Sequence, residues 1–191
     1  MELHVHLDGS FDPELLRKHL LETQDYSSLP EHTIFPWDPD SCLEVRKLVQ
    51  ESILLPSDDE HSFQSLCTCR GKKSLQAMIA CFEIFVPIVR GKLKLLEELA
   101  FHFCERQFQQ NIVYTEVRYN PHLLSTGGLL NSTTTTKTQP VIDANPVVDA
   151  ITRGLRRGEE KYNIIVRFTL FFTLFIHCFK KIKAYMLNFA L

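Results

Sequence analysis

The chain has 191 residues, with 45% hydrophobic and 23% charged content, and is long enough for a sizeable core. A net charge of -2 argues against a nucleic-acid-binding surface. Six cysteines without a framework spacing, and no basic stretch followed by an apolar run at the start, predict a reducing, cytoplasmic compartment rather than secretion.

The chain opens with a strand pattern over residues 2–10, which read Glu-Leu-His-Val-His-Leu-Asp-Gly-Ser. Because strand side chains alternate between faces, His4, His6 and Asp8 are predicted to share one face. Leu3 and its alternate neighbours are predicted to pack under helices on the other face. Two imidazoles about 6–7 Å apart along a strand can converge on one metal ion. For the bare His-x-His pattern, a chance pair on a half-buried strand is an equal alternative.

The next part of the chain gives weaker signals. A first helix is predicted to end near residue 22. Residues 23–40 are rich in Ser, Pro and Asp and are interpreted as irregular, followed by a short helix over about 40–54 that begins near Asp40. Residues 56–73 are interpreted as a polar, charged loop.

Apolar residues recur at three- and four-residue steps from Ser74 onward, which is typical of a helix. Pro87 is predicted to end or kink this helix. The apolar positions at its start admit two interpretations, as core packing or as one wall of a binding site. They are Leu75, Met78, Ile79 and Phe82.

A strong helical stripe predicts a helix to about Gln109, and a strand over 112–119 follows almost at once. On that strand Glu116 and Arg118 share a face, which favours a buried ion pair over a role at an active centre. Residues 123–145 form a long connection. A further helix then begins at Asn145, and a strand begins near residue 164.

Two strings in this order carry a family resemblance. The first, over residues 2–10, closely resembles the opening strand of the adenosine deaminase family. The second, over residues 113–122, reads Val-Tyr-Thr-Glu-Val-Arg-Tyr-Asn-Pro-His and resembles that family's Val-Tyr-Val-Glu-Val-Arg-Tyr-Ser-Pro-His. The resemblance spans roughly residues 2–168 with a gap in the middle. It implies an α/β fold, the N-terminal part of a TIM-type (β/α)8 metal-dependent hydrolase barrel, with three of the eight strands.

The resemblance also implies a function. The family hydrolytically deaminates adenosine or 2'-deoxyadenosine to inosine or 2'-deoxyinosine and ammonia, a step of purine metabolism. By resemblance, His4 and His6 are ligands of one Zn²⁺ ion, His6 also contacts the nucleoside substrate, and Asp8 holds a ribose hydroxyl. The family's mouth helix corresponds to residues 74–87, which places Leu75, Met78, Ile79 and Phe82 at the purine subsite.

The family's general acid and its later metal-binding motifs have no match in this chain. The zinc ligand set is therefore incomplete, no catalytic acid or base is mapped, and the chain as written is predicted to be inactive. Two alternatives stay open: a non-catalytic fragment that acts by binding a protein partner, and another metal-dependent amidohydrolase, against which the second string argues.

The resemblance fails past about Phe168, where the sequence becomes rich in phenylalanine and then lysine. This divides the chain into a partial deaminase-like domain, 1–168, and an atypical tail, 169–191. A membrane segment with flanking lysines is one explanation, but the apolar run is shorter than the roughly 20 residues that span a bilayer. A truncated gene model, a splice variant or read-through sequence is the favoured explanation.

Overall fold

A computed structural model describes residues 1–35, 38–69, 71–72, 74–125 and 143–170. Among them, no helix combines the length and the apolar content needed to cross a membrane. The elements follow in chain order as β1 (Glu2–His6), a 3₁₀ turn (Leu7–Gly9), α1 (Pro13–Thr23), β2 (Thr33–Phe35), β3 (Asp38–Leu43), α2 (Val45–Ser52), α3 (Phe63–Cys67), α4 (Leu75–Val89), α5 (Leu93–Gln109), β4 (Tyr114–Tyr119), α6 (Pro121–Leu124), α7 (Asn145–Tyr162) and β5 (Ile165–Leu170).

Within the described ranges, a three-stranded parallel sheet has the order β1-β4-β5. His6 pairs with Arg118, and Tyr114 pairs with Ile165. The connection from β1 to β4 and the connection from β4 to β5 both contain helices. Each strand of this sheet lies next to the one that follows it in the sequence. Adjacent parallel strands joined by helical crossovers are the repeating unit of a (β/α)8 barrel. The predicted α/β class with a partial barrel is confirmed.

Helices α5 and α7 form a closely packed pair on the sheet. A Cβ atom added at Gly154 would lie 2.1 Å from the carbonyl oxygen of Glu97, and one at Gly158 would lie 2.3 Å from the Cβ of Cys104. The two backbones therefore approach so closely that only glycine fits at both crossing points. Cys104 is buried there, as Cys81 is in α4.

The interpretation of residues 23–40 as irregular is wrong in part, because β2 and β3 form an antiparallel hairpin in which Thr33 pairs with Leu43. The strand pattern is hidden by the prolines and aspartates around it. As β3 extends to Leu43, the next helix begins at Val45 rather than near Asp40.

The predicted polar loop over 56–73 also contains a helix, α3, whose first residue, Phe63, is almost completely buried. Its Ser62 side chain accepts a hydrogen bond from the Ser65 backbone N–H at 3.2 Å, which caps the helix. Five residues are too few to produce a visible helical period, so this helix could not be predicted from the sequence.

Helix α4 continues through Pro87 to Val89, so this proline lies inside the last turn instead of ending the helix before it. Of the connection predicted for 123–145, the structure describes the end of α6 and the approach to α7. Residues 126–142 of that connection, and all of the predicted tail beyond residue 170, lie outside the described residues.

Candidate active site at the end of the first strand

The first strand is irregular at His4. Its pairing with β4 shifts between Glu2 and Val5, so that three residues of β1 advance while two residues of β4 do. His4 has a φ of +66°, a left-handed conformation that non-glycine residues adopt infrequently. Such bulges re-aim side chains and are frequent beside active sites. The bulge also leaves Leu3 53% exposed, so the prediction that Leu3 packs under helices is wrong.

The bulge brings the two histidines of the strand together. The ring centroids of His4 and His6 are 5.5 Å apart, with an angle of 34° between the ring planes. Both residues are exposed. Two accessible imidazoles this close together can each offer a ring nitrogen to one metal ion, and nitrogen donors of this kind suit Zn²⁺.

Asp8 does not lie on the strand, as the alternation predicted, but in the 3₁₀ turn that follows it. The turn places Asp8 only 6% exposed, with its Oδ1 3.8 Å from Nδ1 of His6. Oδ2 accepts a hydrogen bond from the Asn120 backbone N–H at 3.1 Å. Burial raises the pKa of the Asp8 carboxyl, while the Asn120 hydrogen bond and the nearby His6 act in the opposite direction.

The contact between Asp8 and Asn120 joins the two strings that carry the family resemblance. Asn120 begins α6, and its side-chain oxygen accepts hydrogen bonds from the backbone N–H groups of His122 and Leu123. An Asn-Pro pair is a favoured helix start, although no helix was predicted here from the sequence. The contact of the Asn120 backbone with the first string's carboxylate was not predicted either, because it spans 112 residues of sequence.

Helix α4 passes close to the same turn. Ser74 caps it by accepting a hydrogen bond from the Ala77 backbone N–H. The ring of Phe82 lies 3.4 Å from the position that a Cβ of Gly9 would occupy. One turn and more toward the helix start, three apolar side chains point into solvent. They are Leu75, Met78 and Ile79, with exposed fractions of 68%, 36% and 39%.

On β4, Glu116 accepts a hydrogen bond from the Tyr114 hydroxyl at 2.8 Å. The ion pair predicted between Glu116 and Arg118 is not among the ion pairs of the described residues. A tyrosine two positions away on the same strand face reaches the carboxylate instead, because residues at i and i+2 project to the same side.

The described residues contain no group of three His, Cys, Asp or Glu side chains arranged to hold a metal ion. The two predicted ligands, His4 and His6, would fill two positions of a zinc site, whereas a catalytic zinc site normally has three ligands from protein. A surface depression of about 420 Å³ lies elsewhere, between α5 and α7, where Phe101, Arg157, Glu160 and Lys161 line it. It is wide open and contains none of the predicted site residues.

Comparison with known proteins identifies the family. The family model for adenosine deaminase matches residues 32–185. The chain belongs to the adenosine deaminase family. Mouse adenosine deaminase is 28% identical over 167 residues, which are 87% of this chain and 39% of the mouse protein. The Xenopus tropicalis adenosine deaminase is 27% identical over 175 residues, which are 87% of this chain and 38% of that protein.

The chain thus spans about two fifths of the length of its adenosine deaminase relatives. Among solved structures, an adenine deaminase from Arthrobacter aurescens superposes with a TM-score of 0.49 at 16% identity, over 88% of this chain and 37% of that one. The range matched by the adenosine deaminase model extends to residue 185, past the boundary predicted at 168. The division of the chain at that boundary stays a prediction.

Proposed function

We propose that this chain supplies the first part of a zinc-dependent site that hydrolyses the C–N bond at carbon 6 of adenosine or 2'-deoxyadenosine, releasing ammonia. The convergence of the His4 and His6 rings beside the buried Asp8 supports this most strongly. Since the chain spans about two fifths of its relatives, we assign it only the groups that it contains.

His4 and His6 fit two positions of a zinc site, because both rings are accessible and their centroids are 5.5 Å apart, with the backbone at His4 in a left-handed conformation. The left-handed conformation at His4 costs free energy, which a shared ligand would offset. When bound, a zinc ion activates a water molecule as a nucleophile near neutral pH. The role of the two imidazoles is to hold the ion at the end of β1.

Asp8 is assigned to the ribose of the nucleoside. One of its oxygens is fixed by the Asn120 backbone N–H, so the carboxylate cannot rotate freely. Its other oxygen, near His6, then has a defined direction in which to accept a hydrogen bond from a sugar hydroxyl. This arrangement positions the substrate relative to the histidines, and His6 is assigned a contact with it as well.

The apolar wall of the purine subsite is assigned to α4. Exposed apolar side chains are costly unless something covers them, and three of them stand at the start of this helix. Phe82, further along the same helix, lies beside Gly9 in the turn that carries Asp8. A flat purine ring is a suitable cover. We assign this wall to Leu75, Met78, Ile79 and Phe82.

A second candidate is a non-catalytic role, in which the chain binds a nucleoside or a protein partner without turnover. The two-histidine ligand set of the described residues favours it over full catalysis by this chain alone. For both candidates we propose a reducing, cytoplasmic compartment. The free thiols of the described cysteines support this proposal.

Zinc titration of the 191-residue protein tests the ligand assignment. We expect His4→Ala and His6→Ala each to weaken zinc binding by about 10-fold or more, since each removes one of two ligands. His61→Ala is the matched control, because His61 is exposed and lies in a loop that contributes nothing to this site. Equal zinc binding by all four proteins would contradict the proposal.

An activity assay separates the two candidates. With zinc bound, we expect residues 1–191 to convert adenosine to inosine no faster than a His4→Ala, His6→Ala double variant. Proton transfer by a positioned group typically contributes about 10²–10⁴-fold, and no general acid has been mapped in this chain. Turnover well above the double variant would favour full catalysis and would locate the missing groups within this chain.

A further inference from the structure

Two cysteine side chains meet where the connection from α3 reaches α4. The Cys81 Sγ donates to the backbone carbonyl oxygen of Thr68 at 3.3 Å. Thr68 directly precedes Cys69 in sequence, and the Cys69 Sγ donates to the carbonyl oxygen of Met78 at 3.8 Å. Cys69 therefore lies against the turn of α4 that carries Cys81.

The two thiols differ in their surroundings. Cys69 is exposed, whereas Cys81 is 1% exposed and lies in the core. Burial raises the pKa of the Cys81 thiol, and proximity to Cys69 raises it further. An oxidant in solution thus reaches Cys69 first, and Cys81 is placed to react with the product.

We propose that Cys69 and Cys81 are a redox-sensitive pair that forms a reversible disulfide when the protein meets hydrogen peroxide. In the first step the Cys69 thiolate attacks one peroxide oxygen, the O–O bond breaks, and hydroxide leaves, giving a sulfenic acid on Cys69. In the second step the Cys81 sulfur attacks the Cys69 sulfur, forming the S–S bond and releasing water. In total, two thiols and one peroxide give one disulfide and two waters.

The disulfide would tie the α3–α4 connection to the second turn of α4. Cys69 reaches the helix through a long sulfur–oxygen contact, which constrains it little. A covalent link there would reduce opening of the helix start, where Leu75, Met78 and Ile79 are exposed. An effect on nucleoside binding rests on the proposed function, whereas formation of the disulfide does not.

Peptide mapping of the full 191-residue chain tests the pairing. The reduced protein is treated with equimolar hydrogen peroxide, remaining thiols are alkylated, and the protein is digested with trypsin. Cleavage after Lys47, Arg70, Lys73 and Arg90 puts Cys67 and Cys69 on one peptide, 48–70, and Cys81 on another, 74–90. We expect a crosslink between these two peptides that dithiothreitol reverses, with fragment ions assigning it to Cys69.

Variants distinguish the partners. Cys69→Ser is expected to abolish the crosslink. Two control variants are expected to retain it: Cys67→Ser, which changes the buried neighbour on the same peptide, and Cys42→Ser, which changes an exposed thiol in β3. A crosslink that persists in Cys69→Ser, a bond between Cys67 and Cys69, or oxidation that stops at a Cys69 acid would each overturn the proposal. The wild-type fragment ions decide the question even if a variant fails to fold.

Hydrogen exchange measures the consequence. We expect amides 75–82 to exchange about threefold or more slowly in the oxidised chain than in the reduced chain, with α7 unchanged. Exchange that does not differ between the two forms would overturn the claim that the disulfide stabilises the helix start. Because no nucleoside or zinc is present in this measurement, its outcome is independent of the proposed function.

Discussion

The α5–α7 pair and the end of β1 differ in how closely they follow ordinary folding rules. Between α5 and α7, glycines allow backbone contact, apolar side chains are buried, and Glu97 binds Arg153 and Arg157 across the interface. At the end of β1, a histidine has positive φ and a carboxylate is buried. Departures from local rules concentrate at functional sites, so the contrast supports the proposal that the end of β1 is the functional region.

The largest effect is expected at the helix contact. Gly154→Leu would place a side chain where a Cβ alone lies 2.1 Å from the Glu97 carbonyl oxygen, so the helices must separate. We expect the free energy of unfolding to fall by about 3 kcal/mol or more, measured by urea denaturation. Glu160→Leu on the exposed side of α7 is the control, with an expected change within about 0.5 kcal/mol. Equal effects would refute the close contact.

The second largest effect on stability is expected at the 3₁₀ turn that carries Asp8. Asp8→Ala removes the acceptor of the Asn120 N–H, and we expect it to lower the free energy of unfolding by about 1–3 kcal/mol. Asp8→Asn is the matched control, because it keeps a side-chain oxygen at the same position. If Ala and Asn cost the same, the hydrogen bond does not hold this turn.

We expect a change of pH to alter the folding stability in opposite directions through Asp8 at the end of β1 and through Glu105 at the α5–α7 pair. Burial raises the folded-state pKa of Asp8, so its ionisation opposes folding, and stability falls as pH rises from about the ordinary value of 3.8 through the folded pKa. Hydrogen bonds from Tyr162 and His102 lower the pKa of Glu105 at the α5–α7 pair, so its contribution is present above the ordinary value of 4.5 and is lost as pH falls through the folded pKa.

Unfolding curves from pH 3 to pH 7 check these signs. Relative to wild type, Asp8→Asn should gain stability as pH rises, and Glu105→Gln should lose it. The same sign for both variants would contradict the assignment of opposite electrostatic environments to the two regions.

Much of the α5–α7 region could be predicted from sequence, because long periodic stripes and an Asn-Pro start follow local rules. The end of β1 could be predicted only in part. The sequence pattern indicated His4 and His6 as candidate metal ligands. The bulge at His4 could not be predicted, because it depends on pairing with β4, more than 100 residues away. Asp8 was predicted on the strand but lies in the 3₁₀ turn, where its carboxylate accepts a hydrogen bond from the Asn120 backbone N–H. This contact too joins residues that are far apart in the sequence.

The smallest effect is expected for the surface ion pairs. Glu97→Gln removes the acceptor shared by Arg153 and Arg157, and all three side chains are at least partly exposed. We expect a loss of about 0.2–1 kcal/mol in the free energy of unfolding, which decreases further as salt is added. A loss as large as that of Gly154→Leu would mean that charge, rather than backbone contact, holds α5 to α7.

Nucleoside mapping by nuclear magnetic resonance is the most direct test that the end of β1 and the start of α4 form one binding face. Adenosine added to the zinc-loaded chain is expected to shift the amide signals of His6, Asp8, Met78 and Ile79, and to leave Phe101 and Arg157 at the open depression unchanged. Shifts confined to the Phe101–Arg157 depression, or the same shifts in a His4→Ala, His6→Ala, Asp8→Ala variant that remains folded, would contradict the account.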